Sequence, residues 1–331
     1  MLAASGSSRD YKALAAKYGQ KYGILLALVL VCVVLTFANE YFLTTRNILN
    51  VLRQTSINGI LAIGMTFVIL TRGIDLSVGS VVALAGIVAA SMATTSQAAA
   101  FMGAPYPAAI AFAVGLGVGL ICGWVNGIVV ARFNVPAFVT TLGMLSAARG
   151  LTLLYAGGQP VPALTDSFRF IGRDDILGVP MPVVLFALVF IVSYWVLSSS
   201  RFGRRVYAVG GNPHAARVSG INVRRVIMTV YIISGGLAGL AGMILAARTG
   251  SALTQAGIAY ELDAIAAVVI GGTSLLGGVG RVTGTLIGAL LIAVVNNGLD
   301  LMGVESYYQQ VIKGALIVAA VMLDQARQKN A

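Results

Sequence analysis

Long apolar runs alternate with short polar breaks along the whole chain. The runs predict membrane-crossing helices near 23–42, 54–72, 74–96, 107–131, 135–156, 180–200, 226–247, 263–276, 281–299 and 307–325, with 263–276 the shortest. Most approach the roughly 20 residues that a helix needs to cross a bilayer. The pattern predicts an all-α, polytopic membrane protein with about ten transmembrane helices. One transmembrane domain over 23–326 would lie between tails at 1–22 and 327–331.

One polar stretch stands out against this background. Residues 201–225, RFGRRVYAVGGNPHAARVSGINVRR, hold six arginines and no acid between two apolar runs. Within it, Asn212 and Pro213 followed by His214, Ala215, Ala216, Arg217, Val218 and Ser219 read as a cap, a first-turn proline and a short helix. Gly220, before Ile221, suits the left-handed residue that ends such a helix. A small capped helix outside the membrane, between two basic hinges, suits contact with another protein.

The fourth run carries Gly115, Gly119, Gly123 and Gly127 at every fourth position. They form a smooth ridge on which a neighbouring helix backbone can close. Gly235 with Gly239, and Gly284 with Gly288, repeat the device. Tight internal packing is the plain reading; a dimer interface or sliding surface is the other. The spans also form two four-helix blocks, 54–156 and 226–325. Because five spans separate their starts, equivalent helices would run in opposite directions, as in an inverted repeat.

Composition agrees with the pattern: 58% of the 331 residues are hydrophobic and 10% charged, against about a quarter charged in soluble domains. The net charge of +11 is spread over short loops with no aromatic-interleaved basic patch, so nucleic acid is excluded as a partner. With an inside amino terminus, fifteen of 22 basic residues fall on inside segments and eight of eleven acidic residues outside. This is the positive-inside bias, and it puts both termini in the cytoplasm. Arg46, Arg53, Arg169, Arg173 and Arg248 run against it. The basic stretch from Arg9 to Lys21 leads into an apolar run with no small-residue cleavage site, so it is read as a retained first helix. Cys32 and Cys122 sit in apolar runs, and a single histidine excludes a conventional zinc site.

Few residues offer chemistry. Asp75, after Arg72 and Gly73 and before Ser77 and Ser80, either caps a helix start beside Arg72 or lines a pathway or hinge at membrane depth. Gln54, Asn58 and Thr66 in the second span, and Asn296 and Asn297 in the ninth, serve either as interhelical glue or as pathway lining. Glu261 and Asp263 suit the first turn of a helix, where the dipole favours negative charge, or the docking of an external partner. The glycine-rich run 271–289 lacks the Gly-Lys-Ser/Thr ending of a phosphate loop and reads as a closely packed turn between spans. His214 has no nearby acid, and no catalytic set can be assembled. Any energy source lies on another chain or in an ion gradient.

Several stretches carry a resemblance: QTSINGILAIGMTFVILTRGIDLSVGS (54–80), YAVGGNPHAARVSGINV (207–223), YELDAIAAVVIGGTSLLGGVGRVTGTLIGALL (260–291) and NNGLDLMGVESYYQQVIKG (296–314). With them the chain resembles the membrane permease subunits of bacterial ABC sugar importers, most closely those for ribose. The resemblance implies a non-enzymatic transport subunit in the inner membrane that binds no cofactor itself. It implies pairing with a second permease copy, a periplasmic sugar-binding protein, and a cytoplasmic ATPase carrying ATP and Mg. It makes Asn212 to Ile221 the coupling helix that seats on the ATPase, with Glu261 and Asp263 as candidates for docking the binding protein. The rival readings are an ion-coupled secondary transporter or channel, or a permease for another pentose, hexose or furanosyl signal molecule. The secondary transporter has only Asp75 in its favour and leaves the basic loop helix unexplained.

Overall fold

Two long helices buried along much of their length organise the protein. In the computed structural model, which describes residues 23–329, these are α2 (Thr45–Leu70) and α10 (Val223–Thr249). The others are α1 (Gly23–Ala38), α3 (Val78–Ala93), α4 (Ala108–Phe133), α5 (Ala137–Ala156), α6 (Asp166–Arg173), α7 (Met181–Ser199), α8 (Arg201–Gly211), α9 (Pro213–Val218), α11 (Tyr260–Ile270), α12 (Val282–Leu301) and α13 (Ser306–Lys329). The tail expected over 1–22 lies outside the described residues. The other tail, expected over 327–331, begins inside α13.

The molecule is a helical membrane protein, but a count of ten spans does not follow from length and apolarity. Among the described residues six helices are long and apolar enough to cross a bilayer: α2, α4, α5, α7, α10 and α12. Helices α1 and α3 are apolar but shorter. In the run at 263–276 the helix is shorter than the apolar stretch, because Gly271 and Gly272 end α11 after 11 residues; Gly272 takes φ +83, where a side chain would be strained.

The glycine ridge of α4 packs inward, on α10. A Cβ on Gly119 would stand 2.3 Å from the carbonyl oxygen of Gly235, and one on Gly123 would stand 2.3 Å from that of Tyr231. The two ridges face each other, backbone on backbone. Beside the ridge Leu120 packs on Gly236 of α10, while Leu116, Ile121 and Trp124 leave α4 an exposed apolar surface, as lipid contact requires. Gly284 and Gly288 meet Gly271 and Ala267 in the same way, closing α12 on α11.

The packing is reciprocal. Helix α2 packs on α11 and α12, α10 packs on α3 and α4, and α2 and α10 pack on each other; α3 meets α5 as α11 meets α13.

Residues 157–179 hold structure that the sequence pattern leaves blank. Helix α6 buries Phe168 against Phe112, ring centroids 4.9 Å apart. A small hairpin, β1 (Asp175–Ile176) with β2 (Val179–Pro180), turns through Leu177 and Gly178 at φ 53 and 80, as two-residue hairpin loops demand. This pair is a minor departure from an all-α chain. Three of the five arginines that break the charge bias are tied down here. Arg173 donates to the Arg248 and Thr249 carbonyls that end α10, Arg53 pairs with Asp175 at 3.2 Å, and Arg248 donates to Asn50.

Candidate functional site

The basic stretch forms two helices set at one end of the bundle. Ser200 opens α8, its hydroxyl accepting from the Gly203 amide at 3.0 Å. Asn212 ends α8 and begins α9: its Oδ1 accepts from the amides of His214 and Ala215, each at 3.0 Å. Pro213 stands in the first turn, where its missing N–H costs nothing. Gly220, at φ +80, closes the helix as the Ile221 amide donates to the Ala216 carbonyl, and Asn222 caps α10 through the Arg225 amide. The side chain of Ala216 is buried, while His214, Ala215, Arg217, Ser219 and Gly220 are exposed. Helix α9 thus presents an outer face of His214, Arg217 and the exposed Val218 on one buried anchor, and Arg217, Gly220 and Ile221 border a shallow cleft beside it.

This end is bolted to α2. Arg72, in the left-handed conformation at φ 67, donates from Nε to the Gly210 carbonyl at 2.6 Å and from its terminal nitrogen to the Gly211 carbonyl. The Gly278 amide donates to the Leu70 carbonyl at 3.0 Å. A Cβ on Gly210 would collide with that same carbonyl. The end of α2, the end of α8 and the α11–α12 turn therefore meet where α9 begins. At the same junction Tyr207 donates to the Gly280 carbonyl at 3.0 Å. Burial pushes its hydroxyl pKa up, and the neighbouring Arg281 partly offsets the rise.

Asp75 does not pair with Arg72, which turns away to α8. Its carboxylate is 1% exposed and accepts from the Ser77 amide at 3.1 Å, the Ser77 hydroxyl at 2.6 Å and the Ser234 hydroxyl at 2.9 Å. Asn126 completes the network by donating to the Ser77 hydroxyl at 2.9 Å. The carboxylate thus joins the α2–α3 turn to α4 and α10 inside the bundle. Ser77 both precedes α3 and links Asp75 to Asn126. The pairing with Arg72 expected of a capping Asp75 is not what the geometry gives, although its carboxylate does accept from the amide just before α3.

The remaining polar candidates are held inside one chain. Asn47 and Asn297 exchange two amide hydrogen bonds of 2.9 and 2.8 Å, joining α2 to α12. Thr66 meets Thr285 at 2.8 Å between the same helices. Asn296 lies near Asp263, which takes an ion pair from Lys313 at 3.0 Å. Asn58 is 7% exposed and Gln54 half-buried on α2. Glu261 and Asp263 do occupy the first turn of α11. Asp263, at 4% exposed and already paired, is placed to join helices and not to meet an external protein; Glu261 is half-buried against Gly79.

Two basic residues escape the sequence reading. Arg149 on α5 donates to the Thr254 and Ala256 carbonyls at 2.6 and 3.0 Å, tying down the loop before α11 within electrostatic reach of Glu261. Lys313 closes the ion pair to Asp263. The signal was present: a basic residue inside an apolar run needs a partner or a water-filled cavity. Among the described residues no cluster of His, Cys, Asp and Glu could hold a metal ion.

Comparison with known proteins places this architecture. No solved structure matches the chain. It is 47% identical over 313 residues to the ribose import permease protein RbsC of Escherichia coli K12, covering 93% of this chain and 94% of that one. Against the Bacillus subtilis protein of that name the identity is 46%, covering 94% of each. The D-allose transport system permease protein AlsC of Escherichia coli K12 is 38% identical over 95% of this chain and 94% of its own. The family model described as branched-chain amino acid transport system / permease component matches residues 47–321, and the chain belongs to that permease family.

Proposed function

We propose that this chain is the membrane-spanning permease of an ATP-driven bacterial importer for ribose. The end-to-end likeness to ribose import permeases carries the reading. A second copy completes the pathway as a homodimer, a periplasmic sugar-binding protein delivers the sugar, and a cytoplasmic ATPase holding ATP and Mg drives the cycle. Helices α1, α3, α11 and α13 bring the six long spans to ten, and the reciprocal packing of α2–α5 and α10–α13 supports an inverted repeat. The gathering of Arg72, the arginines of 201–225 and Arg281 at one end supports a cytoplasmic position for that end and for both termini, in the inner membrane.

The geometry supports a route for the coupling. When the ATPase closes on α9, the exposed face of Asn212 to Ile221 takes the push. Arg72 passes it to α2 and the Asn222 cap passes it to α10. Those two central helices carry the packing of both halves, so their tilt moves the molecule between outward- and inward-facing states. The buried amides and hydroxyls suit a neutral polyol better than an ion.

Proteoliposomes loaded with this chain, its ATPase and its binding protein test the reading. Ribose uptake that requires all three and ATP is expected. Uptake by this chain alone would replace it with a secondary transporter or channel, and uptake of allose but not ribose would change the sugar.

A further inference from the structure

A large basic cavity beside the coupling loop is used by nothing described so far. It encloses about 780 Å³ between the end of α7, the start of α8 and the start of α12. Arg204 and Arg281 line it together with the Tyr207 and Tyr194 side chains, and no carboxylate does. Both arginines are exposed. Arg204 makes one bond, to the Ser199 carbonyl of the preceding turn, and among the described residues Arg281 forms no ion pair. Arg281 precedes α12 without a side-chain cap, and Val282 and Thr283, the first residues of that 20-residue helix, line the same space. Two guanidiniums and a free helix start, with no acid to neutralise them, make an anion site.

The wall above the cavity identifies the anion. On α7, Leu188, Ile191, Val192 and Trp195 are all exposed and lie on one face, with Tyr194 beside them at the cavity rim. That stripe offers an apolar path from the membrane interior, and the Tyr194–Trp195 pair is the type that settles at headgroup depth. A soluble phosphate would use the basic floor and ignore the stripe; a phospholipid uses both. We propose that this cavity binds the headgroup of an anionic phospholipid of the inner leaflet, with its acyl chains along α7. The assignment rests on the cytoplasmic orientation proposed above for the basic end. The lipid would sit against Tyr207 and Gly280, at the junction that links α8 to the α11–α12 turn.

The test needs no transport. The full chain is purified in nanodiscs of phosphatidylcholine with increasing phosphatidylglycerol, and bound lipid is counted by native mass spectrometry alongside the melting temperature. Wild type is expected to retain phosphatidylglycerol. Its affinity should fall roughly 5-fold for each of Arg204→Gln and Arg281→Gln, as about one unit of surface attraction is lost with each basic group. Melting in pure phosphatidylcholine checks that the variants fold; Arg204→Lys with Arg281→Lys, which keeps the charge, serves if the glutamines do not. Undiminished phosphatidylglycerol retention by a folded double-glutamine variant would overturn the proposal. So would an equal rise in melting temperature from inorganic phosphate in phosphatidylcholine discs, which would make this a site for a soluble anion. Loss of arginine dependence once the ATPase is added would assign the cavity to that protein instead. If ribose uptake fails in the reconstituted system while this lipid dependence holds, only the transport reading is lost.

Discussion

The Nε of Arg72 lies 2.6 Å from the carbonyl oxygen of Gly210. This bond joins the end of α2 to the residue pair that precedes α9. It is made possible by an uncommon left-handed backbone at a non-glycine position. Arg72→Ala should cost about 2 kcal/mol of stability, the usual range for a charge-assisted bond. It should lower ATP-driven uptake by much more than it lowers ATPase binding. Co-purification of the ATPase with parallel uptake assays separates the two; equal losses would mean that the bond only holds the fold together.

Gly220→Pro and Arg217→Glu test α9 itself. Proline removes the Gly220 amide that donates to the Arg217 carbonyl and fixes φ far from +80. Glutamate reverses the charge on the exposed face. Both proteins are expected to insert and dimerise, while ATP hydrolysis continues without ribose uptake. Wild-type uptake in both would remove the coupling role from this loop.

Asp75→Asn keeps the shape of the buried network while removing its charge, since an amide can still accept from Ser77 and donate to the Ser234 oxygen. It should change the melting temperature little. Asp75→Ala leaves the Ser77 and Ser234 hydroxyls without their acceptor at a buried site and should cost about 1–3 kcal/mol. Uptake by the asparagine variant, measured beside melting, shows whether the charge does anything beyond structure.

Removing one member of the Asp263–Lys313 pair should be costlier than removing both. A buried carboxylate stripped of its cation costs about 3–5 kcal/mol, less here because Lys313 is 23% exposed, whereas a matched apolar replacement is often neutral. A double-mutant cycle with Asp263→Leu and Lys313→Met, read by thermal melting, should therefore show strong positive coupling.

Much of this was readable from the residues, for reasons that can be located. Asn212, Pro213 and Gly220 act through bonds to their near neighbours, so the sequence is enough to give both ends of α9. The ridge from Gly115 to Gly127 announces itself by spacing, although only the fold shows that Gly235 and Gly239 are what it meets. Asp75 was conspicuous, but its partner Ser234 lies 159 residues away, and chain proximity pointed wrongly to Arg72. Asn297 and Asp263 were open for the same reason: their partners, Asn47 and Lys313, sit on helices that only tertiary packing brings near. The bounds of the run at 263–276 differ from those of α11 because two glycines stop the helix while the apolar composition continues.

Gly117 and Gly119 offer a matched pair on one helix. A Cβ on Gly117 meets nothing within 4 Å, while one on Gly119 strikes the Gly235 backbone. Gly117→Leu should fold and melt like wild type, and Gly119→Leu should lose 1–3 kcal/mol or more, as overpacked cores do. Similar melting of the two in detergent would mean that the α4–α10 seam is looser than described.

The same seam sets an order of events during synthesis. Helix α4 leaves the ribosome about 100 residues before α10, and at roughly 5–20 residues per second it waits some 5–20 seconds for its counterpart. Throughout that interval a strip of bare backbone, Gly119 to Gly127, lacks the α10 surface that covers it. Chains stalled or truncated between these two helices should thus be the ones that membrane quality control removes first.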